Sequence, residues 1–202
     1  MIRTILFDFG DVFINLNKEA TQNEFIKLDV SHLTDHLDEV NTLFETGKIN
    51  SKVFLNEYQN ILKQETTDSI VHAWNAILLD FPQHRFNFIL ELHKSQNYQL
   101  ILLSNTNALH IEWIQKNVHF YEAFKNCFDH FYLSHEIQLR KPNPEIYEFV
   151  LTTHNLKADE VLFIDDTKDN TDAAKALGIH VWNIAPKTED IVDLFTIKAE
   201  LF

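Results

Sequence analysis

Glycine is scarce, with three in 202 residues, at Gly10, Gly47 and Gly178. With so few, each is expected to stand where the backbone needs it. Cysteine is scarcer still: the lone Cys127 excludes an intrachain disulfide, fits a reducing compartment and reads as a small buried hydrophobe. Positive charge is in deficit, 17 Lys and Arg against 30 Asp and Glu, or -13. Without a Lys/Arg-rich run, that balance excludes a nucleic acid partner. Long apolar runs are missing as well. No segment approaches the roughly 20 residues of a membrane span, and the run Thr4 to Phe7 is too short for a signal-peptide core. The expectation is a soluble cytoplasmic protein with no membrane partner, and either a monomer or a homodimer.

What is present is enough apolar residue, 45% of the chain, for one substantial core. Short apolar runs suited to buried strands fall at Thr4 to Phe7, Gln99 to Leu103, His130 to Leu133, Glu160 to Ile164 and His180 to Trp182. Each after the first follows a helix-like stretch, the alternation that builds an α/β fold with a parallel sheet between helices. Gly178 ends one such helix before the last run. Between Asn15 and Phe81 the alternation breaks. Only helix-period segments occur there, such as Leu33-Leu37-Val40-Phe44 and Val53-Leu55-Tyr58-Ile61-Leu62, with Gly47 at a turn. Roughly 65 residues far exceed an ordinary crossover, so an all-helical subdomain inserted after the first strand is predicted. The boundaries are 15–81 for the insert and 1–14 plus 82–202 for a discontinuous core.

Ligands of open parallel sheets bind at the carboxyl ends of the strands. Three such ends are polar: Asp8-Phe9-Gly10-Asp11, Ser104-Asn105-Thr106-Asn107 and Asp165-Asp166-Thr167-Lys168-Asp169-Asn170. Asp8, Asp165 and Asp166 would repel one another in a dry cleft unless a cation offsets them, and a hard divalent ion with oxygen ligands does so. Ser104 and Asn105 could hold an anionic oxygen, or cap the helix that begins near Asn107. Lys141 precedes Pro142-Asn143-Pro144, where Asn143 and Pro144 look like an N-cap and first helical residue; alone, a loop lysine reads as solvated surface.

Taken together these segments resemble the four motifs of the haloacid dehalogenase superfamily, in order and over nearly the whole chain. Phe7-Asp8-Phe9-Gly10-Asp11-Val12 is similar to the first, Leu102-Leu103-Ser104-Asn105 to the second, Arg140-Lys141-Pro142 to the third and Phe163-Ile164-Asp165-Asp166 with Asn170 to the fourth. Phe44-Glu45-Thr46-Gly47-Lys48-Ile49 also resembles the subgroup of sugar-phosphate phosphatases and epoxide-hydrolase-like phosphatase domains. The resemblance implies a Rossmann-like core with a helical cap and a magnesium-dependent phosphatase acting on a small phosphorylated metabolite. It implies Asp8 as nucleophile, with Lys141 stabilising charge and Ser104, the Asn105 backbone and Lys141 binding phosphate. Magnesium would be held by Asp8, Asp166, the Gly10 carbonyl and Asp165.

Gly10 departs from the pattern, standing where most phosphatases of the superfamily carry a general acid. Asp11 is adjacent but in extended chain would point away from Asp8. That gap keeps two alternatives open, a silent binding protein and a metal-free 2-haloacid dehalogenase. His32 and His36, four apart, could suggest a transition metal, but no third ligand accompanies them. The aromatics at Phe120-Tyr121 and from Phe128 to Tyr132 read as core and cap packing.

Overall fold

Period-two alternation decides the architecture. In the computed structural model, which describes residues 1–28 and 35–202, the five apolar runs are β1 (Thr4–Phe7), β2 (Gln99–Ser104), β3 (His130–Leu133), β4 (Val161–Asp165) and β5 (His180–Asn183). They form one parallel sheet in the order β3-β2-β1-β4-β5. Ile5, Phe7, Leu100, Leu102, Leu162 and Ile164 belong to the hydrophobic cluster on one face. Their neighbours Leu6, Ile101, Leu103, Val161 and Phe163 belong to the cluster on the other. Burial on both faces explains why these strands read as continuous apolar runs.

Helices α5 (Gln83–Ser95), α6 (Ala108–Asn117) and α7 (Tyr121–Lys125) supply Ile89, Ile114 and Phe124 to the first cluster. Helices α9 (Pro144–Thr153) and α10 (Lys168–Ala176) supply Ile146, Tyr147 and Ala174 to the second. The short α8 (Ser134–Ile137) follows β3, and α11 (Leu194–Ile197) follows β5. Phe120, Tyr121, Phe124 and Phe128 all join the first face, so these aromatics pack the core and not the inserted helices. Cys127 is buried there too.

The segment between β1 and β2 contains α1 (Ala20–Lys27), α2 (Asp35–Glu45), α3 (Ser51–Ile61) and α4 (Thr67–Asn75). These helices share a core of their own, with Phe25, Leu37, Val40, Phe44, Phe54, Tyr58 and Trp74 interlocked. Phe44 stacks on Phe54 at 4.2 Å and Phe54 meets Trp74 at 4.7 Å. On α3 the buried stripe is Phe54, Tyr58 and, just past it, Leu62, whereas Val53 and Ile61 face solvent. Aromatic bulk at i, i+4 and i+8 therefore outweighed the aliphatic spacing. Leu33 and His32 lie outside the described residues, and His36 Nε2 pairs with Glu57 at 3.1 Å.

Two chain passages join the units, and they pair with each other. Asn15 N–H donates to the Asp80 carbonyl at 2.9 Å, Leu79 N–H to Asn15 at 3.0 Å and Asn17 N–H to Ile77 at 2.8 Å. Among the described residues, no helix is long and apolar enough to cross a membrane.

Candidate active site

The strand order reverses direction at β1, where β2 lies on one side and β4 on the other, and such switch points open a crevice at the strand ends. Phe7 is in register with Leu102 and with Ile164. Asp8 and Asp165, each next in chain, therefore leave the sheet side by side. Asp8, Asp165 and Asp166 each offer an oxygen, all within 4.8 Å of one another, the one such grouping among the described residues.

Lys141, 133 residues after Asp8, is 1% exposed, contrary to the solvated role usual for a loop lysine. Its Nζ donates to Asp8 Oδ1 and Asp165 Oδ2, each at 2.7 Å. Asp165 is wholly buried and accepts further from Asn170 Nδ2, at 3.1 and 3.0 Å, and from the Thr167 N–H at 2.7 Å. These donors satisfy the buried Asp165 oxygens in place of water. Burial, opposed by the Lys141 ammonium and reinforced by Asp165 and Asp166, pushes Asp8 up to about 7. Burial would lower Lys141, but Asp165 and Asp8 outweigh it and hold the ammonium above its usual value. Burial also raises Asp166, against the pull of Lys18.

Asn105 holds the lysine in place. Its Oδ1 accepts from the Lys141 N–H at 2.9 Å and its Nδ2 donates to the Lys141 carbonyl at 2.8 Å. The Asn105 side chain is thus committed to backbone. Nor does it or Ser104 cap α6. Asn107 does, its Oδ1 accepting from the His110 N–H at 3.1 Å and from Trp74 Nε1 at 3.2 Å. Ser104, at the end of β2, is 3% exposed. Asn143 stands at the N-cap position of α9 with Pro144 at N1, but its side chain makes no capping bond.

The first strand end differs from an extended chain. Asp11 has φ 54°, so alternation no longer governs its direction. Its Oδ1 accepts from the Leu16 N–H at 3.0 Å, and its Oδ2 lies 3.4 Å from Lys18 Nζ. Lys18 also donates to Asp166 Oδ2. Sequence reasoning missed Lys18, because nothing in Asn17-Lys18-Glu19 distinguishes it from a surface lysine. Gly10 shows no positive φ, unlike Gly47 and Gly178. A Cβ there would lie 4.0 Å from Asp8 Oδ2 and 2.7 Å from Leu16 Cδ1. The space a side chain at this position would enter is occupied by leucine, and the backbone itself does not demand glycine.

The helical segment is fastened beside Lys141. Arg140 Nη2 meets Glu45 Oε2 at 3.1 Å, and Ser134 Oγ donates to the Glu45 carbonyl at 2.6 Å. Gly47, at φ 64°, lies so close to α8 that a Cβ would fall 1.9 Å from the His135 carbonyl oxygen.

A fold and a site of this kind define a class of hydrolase, and comparison with known proteins agrees. The model of the haloacid dehalogenase-like hydrolases matches residues 2–178, and the chain belongs to that family. It is 29% identical to the D-ribitol-5-phosphate phosphatase of Bacteroides thetaiotaomicron, over 90% of this chain and 91% of that one. It is 27% identical to the glyceraldehyde 3-phosphate phosphatase of Methanocaldococcus jannaschii, over 96% and 90%. A haloacid dehalogenase family enzyme of B. thetaiotaomicron, solved with magnesium and inorganic phosphate, superposes with a TM-score of 0.85 at 32% identity, covering 96% of this chain and 100% of that one.

Proposed function

We propose that the protein is a magnesium-dependent phosphatase that hydrolyses a small phosphorylated metabolite, a sugar phosphate by class, through an aspartyl-phosphate on Asp8. The observation that carries the reading is the buried Lys141 ammonium shared between Asp8 and Asp165, with Asp166 beside them. Phosphatases similar along most of the chain, and a similar enzyme with magnesium and phosphate bound, support it.

Three carboxylates against one buried ammonium leave an excess of negative charge that a divalent cation fits. Asp8, Asp166, the Gly10 carbonyl and Asp165, directly or through water, would hold it. When bound, magnesium neutralises charge on the transferring phosphoryl group. The chain's own groups do the rest. An Asp8 oxygen attacks phosphorus, the bond to the leaving oxygen breaks and its electron pair departs with that oxygen. Lys141, Ser104 and the Asn105 backbone bind phosphoryl oxygens, and the Asn105 side chain holds Lys141. Water then attacks the same phosphorus, the bond to Asp8 breaks, and phosphate leaves with the carboxylate restored. With glycine at position 10 and Leu16 against it, the proton for the leaving alcohol comes from water, the substrate or a cap residue. Residues 15–81 form the cap that excludes bulk solvent and contacts the metabolite.

A screen over phosphorylated sugars and polyols with magnesium, repeated with a chelator and with Asp8→Asn, tests the reading. Phosphate release is expected to fall at least about 10,000-fold in the variant and to vanish with chelator. Turnover that survives the substitution would overturn the mechanism; chelator-insensitive halide release from 2-haloacids would favour a dehalogenase.

A further inference from the structure

Four carboxylates crowd this rim, and two lysines answer them. Lys141 takes Asp8 and Asp165; Lys18 takes Asp166 and, at 3.4 Å, Asp11. The two lysines are held differently. Lys141 is buried and its backbone is bonded on both sides by Asn105. The Lys18 side chain is 55% exposed, yet the Asp166 side chain it covers is only 8% exposed.

An ammonium hydrogen-bonded to a carboxylate oxygen and a divalent cation on the same carboxylate repel one another. A metal entering between Asp8 and Asp166 therefore weakens both ammonium contacts, and the less firmly held lysine yields first. The anchored one has nowhere to go. Lys18 does, because it stands at the edge of a cleft of about 810 Å³ that Leu16, Asn17, Pro186 and Lys187 also line. Asp11 stays within its reach on that side.

We propose that Lys18 is a built-in placeholder for the divalent cation: it occupies Asp166 in the metal-free protein, is displaced when magnesium binds, and then presents its ammonium to the adjoining cleft. The cleft, which Lys187 also lines, thus gains a second ammonium released from Asp166 only when the metal is in place. Metal occupancy and the cleft's attraction for an anionic metabolite become one event. This inference rests on the reading of Asp8 and Asp166 as metal ligands.

Calorimetric titration of the full chain with magnesium chloride alone tests it, at fixed ionic strength because exposed charges are screened. Lys18→Met removes the competitor and is expected to tighten magnesium binding about 3- to 10-fold, the span of a charge-assisted bond of this exposure. Lys187→Met removes the same charge from the same cleft, from a residue outside the Asp166 pairing, and is expected to change affinity less than about 2-fold. Thermal melting verifies that both variants are folded, which the exposure of Lys18 favours. Equal tightening in the two variants, or none in Lys18→Met, overturns the placeholder role. No magnesium binding by any of the three proteins, wild type included, overturns the metal-site reading and the placeholder with it, a pattern distinct from the other two.

Discussion

The two flanks of Asp8 are built on opposite plans. On the Lys141 side the polar contacts tie one element to another: Asn105 spans the Lys141 backbone, Asn107 joins α6 to Trp74, and Glu45 answers both Arg140 and Ser134. On the Lys18 side, one half-exposed ammonium answers Asp11 and Asp166 at the edge of an open cleft. The difference separates two tasks. A group that meets charge as it develops must already be in place, which needs buried partners of fixed geometry. A group that makes way for a cation or a metabolite must be held weakly enough to move.

Breaking the fixed flank at its centre should have the largest effect. Lys141→Met removes the one ammonium that Asp8 and Asp165 share, and steady-state kinetics should show a kcat about 100- to 1,000-fold lower. Lys18→Met on the opposite flank should leave a folded enzyme that saturates with magnesium at lower concentration, and a kcat loss as severe as that of Lys141→Met would erase the contrast between the flanks.

The next effect concerns the seam that holds the helices against the fixed flank. Gly47→Ala brings a Cβ to 1.9 Å from a backbone oxygen at a positive φ, and no flexible side-chain end is there to give way. Urea unfolding should show a loss of at least about 2 kcal/mol. Gly10→Ala meets instead the end of the Leu16 side chain and should cost less than about 1 kcal/mol.

Comparable in size is a pH dependence of the same seam. His110 stacks on Trp74 at 5.4 Å, its Nε2 3.3 Å from the Trp74 carbonyl, while Asn107 Nδ2 faces its Nδ1 at 3.1 Å. The Asn107 oxygen already serves two donors, so its amide must donate to Nδ1, which keeps the imidazole neutral. Burial, with the Trp74 carbonyl opposing and His135 adding, pushes His110 down to about 4. The unfolded chain, with a histidine near 6.5, binds more protons than the folded one between these values. Stability is therefore full above about 6.5 and falls as the pH drops toward 4, by about 1–2 kcal/mol between pH 7 and pH 5. Melting curves across that range should show the slope, and His110→Phe, which keeps a ring on Trp74 without titrating, should flatten it.

Much of the fold was legible because its signals are local. All five strands fall on the apolar runs within a residue or two, and β1, β2 and β4, buried on both faces, need a continuous apolar run. The acids at the strand ends were legible for the same reason. The α3 stripe was read through Val53 and Ile61 because an aliphatic and an aromatic pattern overlap there, and packing against Phe25, Phe44 and Trp74 chose the aromatic one. Asp11 was placed by strand alternation, which ends where the chain turns at φ 54°. Lys18 left no signal, since its partner Asp166 lies 148 residues away.

The sequence by itself determined the parallel α/β core, the helical segment after β1 and the convergence of Asp8, Ser104, Asp165 and Asp166 on one rim. Periodicity and strand-end position act within a few residues and need no knowledge of the rest of the chain. Only the tertiary structure decided which cation meets which carboxylate, that Asn105 serves Lys141, and that Leu16 fills the space beside Gly10. Those pairings join residues that the order of strands in the sheet brings together, and burial sets their strength.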